Sequence, residues 1–64
     1  MTLTTRQQQI LTLIATEFTT TEIAGQLGIA TATVETHRRN LLRKAGVRSV
    51  AGLVIEAMRQ GLIQ

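Results

Sequence analysis

The stretch that decides the fold is Thr31–Lys44, with the sequence TATVETHRRNLLRK. At about 100° per residue, a helix places Val34, Leu41 and Ala45 together on one side. The opposite side, called the polar face below, carries small, polar and cationic groups: Ala32, Thr36, Arg39 and Arg43, flanked by Glu35 and Asn40. One side can be buried while the other meets a partner, and a helix of this kind fits the major groove of DNA. A merely solvated helix face is the alternative at this point.

Positive charge is concentrated in one part of the chain. Seven Lys and Arg residues against four acids give a net charge of +3. Five of the seven lie within eleven residues that contain no acid, and these are Arg38, Arg39, Arg43, Lys44 and Arg48. Clustered cations are typical of a protein whose partner is a polyanion, so we expect double-stranded DNA as the partner.

The length and composition exclude several classes of protein. A chain of 64 residues forms one domain, spanning 1–64, near the lower size limit for folding without disulfides or metals. There is no Cys and one His, so we expect no disulfide, no metal site and no cofactor. No Ser-His-Asp set, carboxylate pair or phosphate-binding Gly loop suggests an enzyme. No apolar run approaches the ~20 residues that span a bilayer, and no signal peptide is visible, which predicts a cytoplasmic protein without a membrane partner.

Capping signals and glycines divide the chain into four predicted helices, at about 5–16, 20–27, 31–45 and 50–60. Thr4 with Gln7, and Thr19 with Glu22, have the spacing of capping boxes, and Ser49 can cap the last helix. Glycines end the later three helices at Gly28, Gly46 and Gly61. The prediction is a compact all-α four-helix bundle containing a helix-turn-helix at about 19–45.

The last predicted helix is apolar over roughly 200° of its circumference, whereas packing on a small bundle needs only about 100°. The excess predicts an exposed stripe of Ala51, Ile55 and Met58. Exposed apolar stripes mark interaction sites, which favours self-association through an apolar patch formed by Ala51, Val54, Ile55 and Met58. The alternative is a helix that is more deeply buried.

Nearly the whole chain resembles the DNA-binding domain of the LuxR-type transcription regulators, also called NarL- or GerE-type. The resemblance rests on Leu3-Thr4-x-Arg6, Glu22-Ile23-Ala24, Leu27-x-Ile29, Thr33-Val34-x-x-His37 and Lys44-x-Gly46-Val47. It implies a bacterial four-helix domain that binds duplex DNA as a homodimer, with the dimer contact on the fourth helix. It also implies an N-terminal receiver or ligand-sensing domain in many members, as in response regulators, beside small stand-alone members.

Four residues depart from the family pattern. Gln7 stands where Glu is usual, which weakens any charged contact there, and Glu17 stands where Gly is usual, before Phe18. Ala30 replaces the usual capping Ser, at a typical cost of ~1 kcal/mol, and Ala45 replaces a common Leu. These departures concern stability more than DNA binding.

The polar face and the resemblance assign DNA contacts to two sets of residues. The predicted base-reading residues are Ala32, Glu35, Thr36, Arg39, Asn40 and Arg43. Glu35 can accept from cytosine, or can instead pair with Arg38 or Arg39 and orient them. The predicted phosphate-binding residues are Thr20, Thr21, Thr31, Thr33, His37, Arg38, Lys44 and Arg48.

Two other interpretations compete with this one. A promoter-contacting domain of a sigma factor also opens with LTxR and contains an EIA…TV segment, but a fourth helix after KAGVRS argues against it. A protein-interaction module that has lost DNA binding would use the apolar patch, and the intact basic cluster argues against that module.

Overall fold

The computed structural model describes residues 1–64 and consists of four α-helices without strands. The helices are α1 (Thr5–Ala15), α2 (Thr20–Leu27), α3 (Thr31–Ala45) and α4 (Val50–Arg59). The predicted all-α class is confirmed, and α1 and α4 each end one residue earlier than predicted. None of the four helices combines the length and the apolar character that a bilayer crossing requires.

Side chains cap three of the four helix N-termini. The Thr4 hydroxyl accepts from the Gln7 N–H at 3.1 Å while Gln7 Oε1 accepts from the Thr4 N–H at 3.0 Å. Thr19 and Glu22 form the same reciprocal pair, and Ser49 Oγ accepts from the Gly52 N–H at 3.1 Å. Ala30 makes no side-chain capping bond, and at the start of α3 the Thr33 N–H donates to the Ala30 carbonyl instead, at 3.1 Å.

All four helices end in the same way. In each case an N–H group bonds back to the carbonyl five residues earlier, as in a Schellman motif. The four donor–acceptor pairs are Phe18 to Leu13, Ile29 to Ala24, Val47 to Leu42 and Leu62 to Ala57. Each donor is an apolar residue packed against the core, so every helix end turns the chain back onto the bundle.

The residue before each of these donors adopts a left-handed backbone, and at the end of α1 that residue is Glu17 rather than glycine. Glu17 has φ of 67°, close to the values of 67° at Gly28 and 69° at Gly46. A side chain in this conformation costs about 1–2 kcal/mol because its Cβ crowds the following carbonyl. Glu17 is thus a point of backbone strain in the fold.

We therefore expect Glu17→Gly to stabilise the domain by roughly 0.5–1 kcal/mol, since relief of the strain exceeds the added entropy of the unfolded chain. Urea unfolding followed by circular dichroism measures the change. Glu17→Ala is the matched control, because it removes the carboxylate and keeps the Cβ. An equal gain in both variants would show that charge, and not backbone conformation, limits stability at this turn.

The core is aliphatic and draws on every helix. Its nine buried residues are Ile10, Leu11 and Ile14 from α1, Ile23 and Ala24 from α2, Val34 and Leu41 from α3, and Leu53 and Ala57 from α4. Phe18, Leu27 and Ala45 pack against this cluster while remaining partly exposed. Only one side of α3 packs against the core, so the polar face of α3 points outward.

The buried polar side chain of Gln7 joins α1 to the end of α3. Lys44 Nζ donates to Gln7 Oε1 at 2.9 Å and to the Thr2 carbonyl at 2.8 Å. The contact at position 7 is therefore present, although Gln7 offers Lys44 a neutral acceptor where the usual Glu would offer a charged one. It fixes the far end of α3 against the N-terminal segment.

Two carboxylates, those of Glu22 and Glu56, make stability depend on pH. The Thr19 N–H lowers the pKa of Glu22 from its ordinary 4.5, and the Arg59 guanidinium lowers the pKa of Glu56. Because folding favours both ionised forms, their contribution is complete above pH 4.5 and is lost as pH falls below it. We expect the thermal midpoint to fall between pH 5 and pH 3, and to fall less in Glu22→Gln combined with Glu56→Gln. An equal fall in that double variant would assign the acid sensitivity to other groups.

Candidate nucleic-acid interface

The helix-turn-helix is formed by α2 and α3, joined by the turn at Gly28 and Ile29. Val34 and Leu41 are buried in the core and set the rotation of α3 about its axis. The opposite side is therefore presented to solvent. On the polar face, Ala32, Glu35, Thr36, Arg39 and Arg43 are exposed and Asn40 is half-buried.

Most of the cations near the polar face have no acidic partner. Only Arg38 and Arg59 lie within 4.0 Å of a carboxylate oxygen. Arg39, Arg43 and Arg48 are exposed and form no ion pair. Their charge is consequently free to attract an anionic partner.

Short-range hydrogen bonds order the middle of the polar face. The Thr36 hydroxyl donates to the Ala32 carbonyl at 3.1 Å, and Arg39 Nη2 donates to Thr36 Oγ1 at 3.4 Å. The second bond is long and leaves most of the guanidinium donors of Arg39 unused. Arg39 therefore keeps the two parallel N–H donors of its guanidinium that a bidentate contact to a base requires.

Glu35 joins the two helices of the motif. Its Oε1 accepts from the Thr20 hydroxyl at 2.6 Å and lies 4.0 Å from Arg38 Nε. The sequence left open whether Glu35 pairs with Arg38 or Arg39. In the structure its nearest cation is Arg38, and its hydrogen bond goes to Thr20.

The N-terminus of α2 offers two unpaired backbone donors. The N–H groups of Thr20 and Thr21 make no hydrogen bond within the protein. The Glu22 carboxylate at the same terminus already accepts from the Thr19 N–H at 2.8 Å. An anion there would meet the two free N–H groups beside that negative charge.

The remaining predicted phosphate-binding residues lie along α3 and beyond its end. Thr31 and Thr33 are exposed at its start, His37 and Arg38 are half-buried, and Arg48 is exposed in the turn after it. Lys44 is exposed as well, but two of its three ammonium donors bind Thr2 and Gln7. One donor of Lys44 remains for a phosphate.

The predicted apolar patch lies on the outer side of α4. Ile55 is 65% exposed and Met58 is 53% exposed, and these are the exposed large hydrophobic residues of the chain. Ala51 is also exposed, whereas Val54 is half-buried and packs against the core. The stripe expected from the wide apolar arc is thus present, with Val54 at its inner edge.

Comparison with known proteins identifies the family. Residues 1–57 match the family described as bacterial regulatory proteins, luxR family. The chain belongs to this family. It is a helix-turn-helix domain of the DNA-binding, transcription-regulating class.

A solved structure of the transcription factor GerE superposes with a TM-score of 0.91 at 32% identity, covering 97% of this chain and 92% of that one. The spore germination protein GerE of Bacillus subtilis is 36% identical over 62 residues, which are 97% of this chain and 84% of that protein. The similarity to this relative extends over almost the full length of the luxR-family chain. The chain and the solved GerE structure share the same fold over almost their whole lengths.

Other relatives are much longer. The transcriptional regulatory protein MctR of Rhizobium johnstonii is 46% identical over 61 residues, covering 95% of this chain and 28% of that protein. The response regulatory protein YgeK of Escherichia coli is 45% identical over 60 residues, covering 94% of this chain and 41% of that protein. The luxR-family chain thus spans less than half the length of these two relatives.

Two contacts made by predicted site residues could not be predicted from the sequence. The Thr20–Glu35 bond joins residues 15 positions apart, and the Lys44–Gln7 bond joins residues 37 positions apart. Neither spacing follows a helical period, so only the packing of α1 and α2 on α3 brings these side chains together.

Proposed function

We propose that this luxR-family domain binds duplex DNA sequence-specifically in transcription regulation, with α3 in the major groove. The observation that carries the proposal is the exposed polar face, on which Arg39 and Arg43 have no acidic partner. A B-DNA major groove about 12 Å wide admits an α-helix. The cations would neutralise phosphates while the same helix approaches the base edges.

The base-reading set is the polar face itself, with different chemistry at each position. Arg39 is suited to the O6 and N7 acceptors of guanine, and Thr36 to a thymine methyl group. Arg43 and Asn40 would extend the reading surface toward the end of α3, and Ala32 would permit close approach at its start. Glu35 would accept from an exocyclic amine.

The phosphate-binding set surrounds the polar face and positions α3 without reading sequence. Arg48 and the free donor of Lys44 lie at one end of α3, and Thr31 and Thr33 at the other. Arg38 and His37 lie beside the polar face, and the N–H groups of Thr20 and Thr21 offer an anion site at α2. A helix placed between two rows of phosphates needs contacts of this kind on both sides.

We further propose that the apolar patch on α4 joins two copies of the domain on DNA. The exposure of Ile55 and Met58 supports this pairing, because monomeric proteins rarely leave contiguous apolar stripes uncovered. Two-fold symmetry would set half-sites about 10–10.5 base pairs apart, or a multiple of that spacing. Linking the two contacts would raise affinity without adding contacts to the bases.

We expect Ile55→Glu to abolish this pairing and to reduce affinity for a two-half-site duplex about 10- to 100-fold, because a carboxylate cannot be buried unpaired in the patch. Affinity for a single half-site should not change. Thr12→Glu, an exposed substitution on α1, controls for the added charge. If both variants bind the two-half-site duplex equally well, α4 is not the dimer contact.

The longer relatives suggest a regulatory partner. MctR and YgeK extend well beyond the matched region, and YgeK is described as a response regulatory protein. We propose that the domain works with a receiver or ligand-sensing domain that controls its dimerisation.

The test of DNA binding is a salt series with random-sequence duplex DNA. Log affinity should fall linearly with log salt, with a slope of about −0.9 for each phosphate neutralised. A selection from a random library then defines the preferred site. If the domain shows no salt-dependent binding, the proposal fails, and the apolar patch would instead serve as a docking surface for another protein.

A further inference from the structure

A single acid, Glu35, flanks the polar face of α3, the surface proposed to approach a polyanion. Glu35 is the only carboxylate on α3, and its side chain is 56% exposed. A negative charge there opposes the attraction exerted by Arg39 and Arg43. Its presence on this face therefore calls for a function other than raising affinity.

The carboxylate is held at one oxygen and free at the other. Thr20, the first residue of α2, donates its hydroxyl proton to Glu35 Oε1 at 2.6 Å, which is the length of a charge-assisted bond. Arg38 Nε is 4.0 Å from the same oxygen, beyond hydrogen-bond distance. Oε2 has no partner within the protein.

Donor and acceptor capacities limit what this pair can do. A hydroxyl carries one proton, so Thr20 cannot donate to a phosphate while it donates to Glu35. An ionised carboxylate only accepts hydrogen bonds. The base groups that can satisfy Oε2 in the major groove are the amines, N4 of cytosine and N6 of adenine, whereas guanine O6 and thymine O4 would repel it.

We propose that Thr20 and Glu35 form a specificity device within the helix-turn-helix. The hydrogen bond from Thr20 holds the Glu35 carboxylate in a fixed direction. In that position the carboxylate accepts a hydrogen bond from a base that carries an amine, and it lowers the affinity for every other sequence. Specificity of this kind arises from an unfavourable contact with the wrong partner as much as from a favourable one with the right partner. Thr20 acts here as a positioning residue. The inference rests on the DNA binding proposed above.

The hydrogen bond to Thr20 is important because, without it, the Glu35 side chain could turn toward a neighbouring arginine on α3. Arg38 is three residues away and Arg39 four residues away, both within reach on a helix surface. Arg38 already lies at ion-pair distance, 4.0 Å, but a direct hydrogen bond from either guanidinium would draw the carboxylate away from the bases and reduce its penalty against the wrong ones. The hydrogen bond from Thr20 of α2 to Oε1 keeps the carboxylate exposed and its direction fixed.

The experiment compares Glu35→Gln, Thr20→Val and the double variant on two duplexes: the site selected by the parent and a scrambled duplex of equal length. Glu35→Gln should tighten binding to the scrambled duplex about 3- to 10-fold, since it removes one repulsive charge. It should lower the ratio of selected to scrambled affinity about 5- to 100-fold, with the lost preference at a cytosine or adenine position.

Thr20→Val keeps the shape of the side chain and the charge of Glu35, but removes the hydroxyl. It should lower the same ratio in the same direction. The double variant should match Glu35→Gln, because the two residues act through one bond. Glu56→Gln on α4 is the control for net charge and should leave the ratio unchanged. Thermal melting of each variant verifies that the fold is intact.

The outcomes separate this inference from the proposed function. If the parent binds DNA and Glu35→Gln leaves the affinity ratio unchanged, Glu35 selects nothing and the inference is wrong. If Glu35→Gln lowers the ratio and Thr20→Val does not, the positioning function of Thr20 is overturned. If the parent shows no salt-dependent binding to either duplex, the proposed function fails and the inference fails with it.

Discussion

Replacing Arg39 with alanine is expected to remove discrimination at one guanine position of the selected site, equivalent to ~1–3 kcal/mol. Arg39 lies in the middle of the polar face, is exposed, and uses one long hydrogen bond to Thr36 within the protein. Its remaining donors can form the two parallel bonds that guanine O6 and N7 accept. Alanine keeps the helix and loses both bonds.

Two matched variants distinguish recognition of the guanine base from general electrostatic attraction to DNA. Arg39→Lys keeps the charge but lacks the planar fork, so it should retain most of the affinity for scrambled duplex and lose most of the guanine preference. Arg48→Ala removes a cation beyond the end of α3. It should weaken binding to all sequences alike and reduce the salt slope by about one unit. A selection experiment and a salt series on the same proteins measure both quantities.

The reading function of Arg39 would be contradicted by one pattern in particular. If Arg39→Ala and Arg48→Ala weaken binding to every sequence by the same factor, Arg39 contacts a phosphate only. Sequence preference would then have to come from other residues of the polar face or from the shape of the DNA.

Replacing Leu53 with alanine is expected to destabilise the domain by about 2–5 kcal/mol, because the substitution leaves a cavity that a small core cannot close. Leu53 is fully buried and joins α4 to the core. A domain of 64 residues has a total unfolding free energy of roughly 3–10 kcal/mol. The variant should therefore be largely unfolded, or close to it, at 37 °C.

Ile55→Ala is the control on the same helix. Ile55 is 65% exposed, so its truncation should change the unfolding free energy of the monomer by about 0.5 kcal/mol or less. Urea unfolding at a protein concentration that keeps both variants monomeric compares them directly. Equal losses in the two variants would mean that α4 packs on the core with a different face.

The local structure could be predicted from the sequence because its causes are local. The Thr-x-x-Gln and Thr-x-x-Glu capping boxes, the serine cap and the glycines at helix ends each act within about one helical turn. They placed all four helices to within one residue of the observed ends. The periodicity of α3 predicted its buried and polar sides, because burial of Val34 and Leu41 sets the rotation of the helix.

Prediction from sequence was weaker where a short-range rule was broken. At Glu17 the glycine that is usual in this family is missing, so no local signal marks a left-handed residue there. The structure keeps the left-handed turn at a residue that disfavours it. The helix-end bond from Phe18 and the packing of its ring against the core outweigh the local strain.

By itself, the sequence determined the helices, the position of the turns, the side of α3 that faces outward and the excess apolar surface of α4. All of these follow from hydrogen bonds and side-chain periodicity within single helices. Only the tertiary structure decided which side chains meet across helices: Thr20 with Glu35, and Lys44 with Gln7. These contacts depend on the distance and angle between packed helices, which no spacing along the chain encodes.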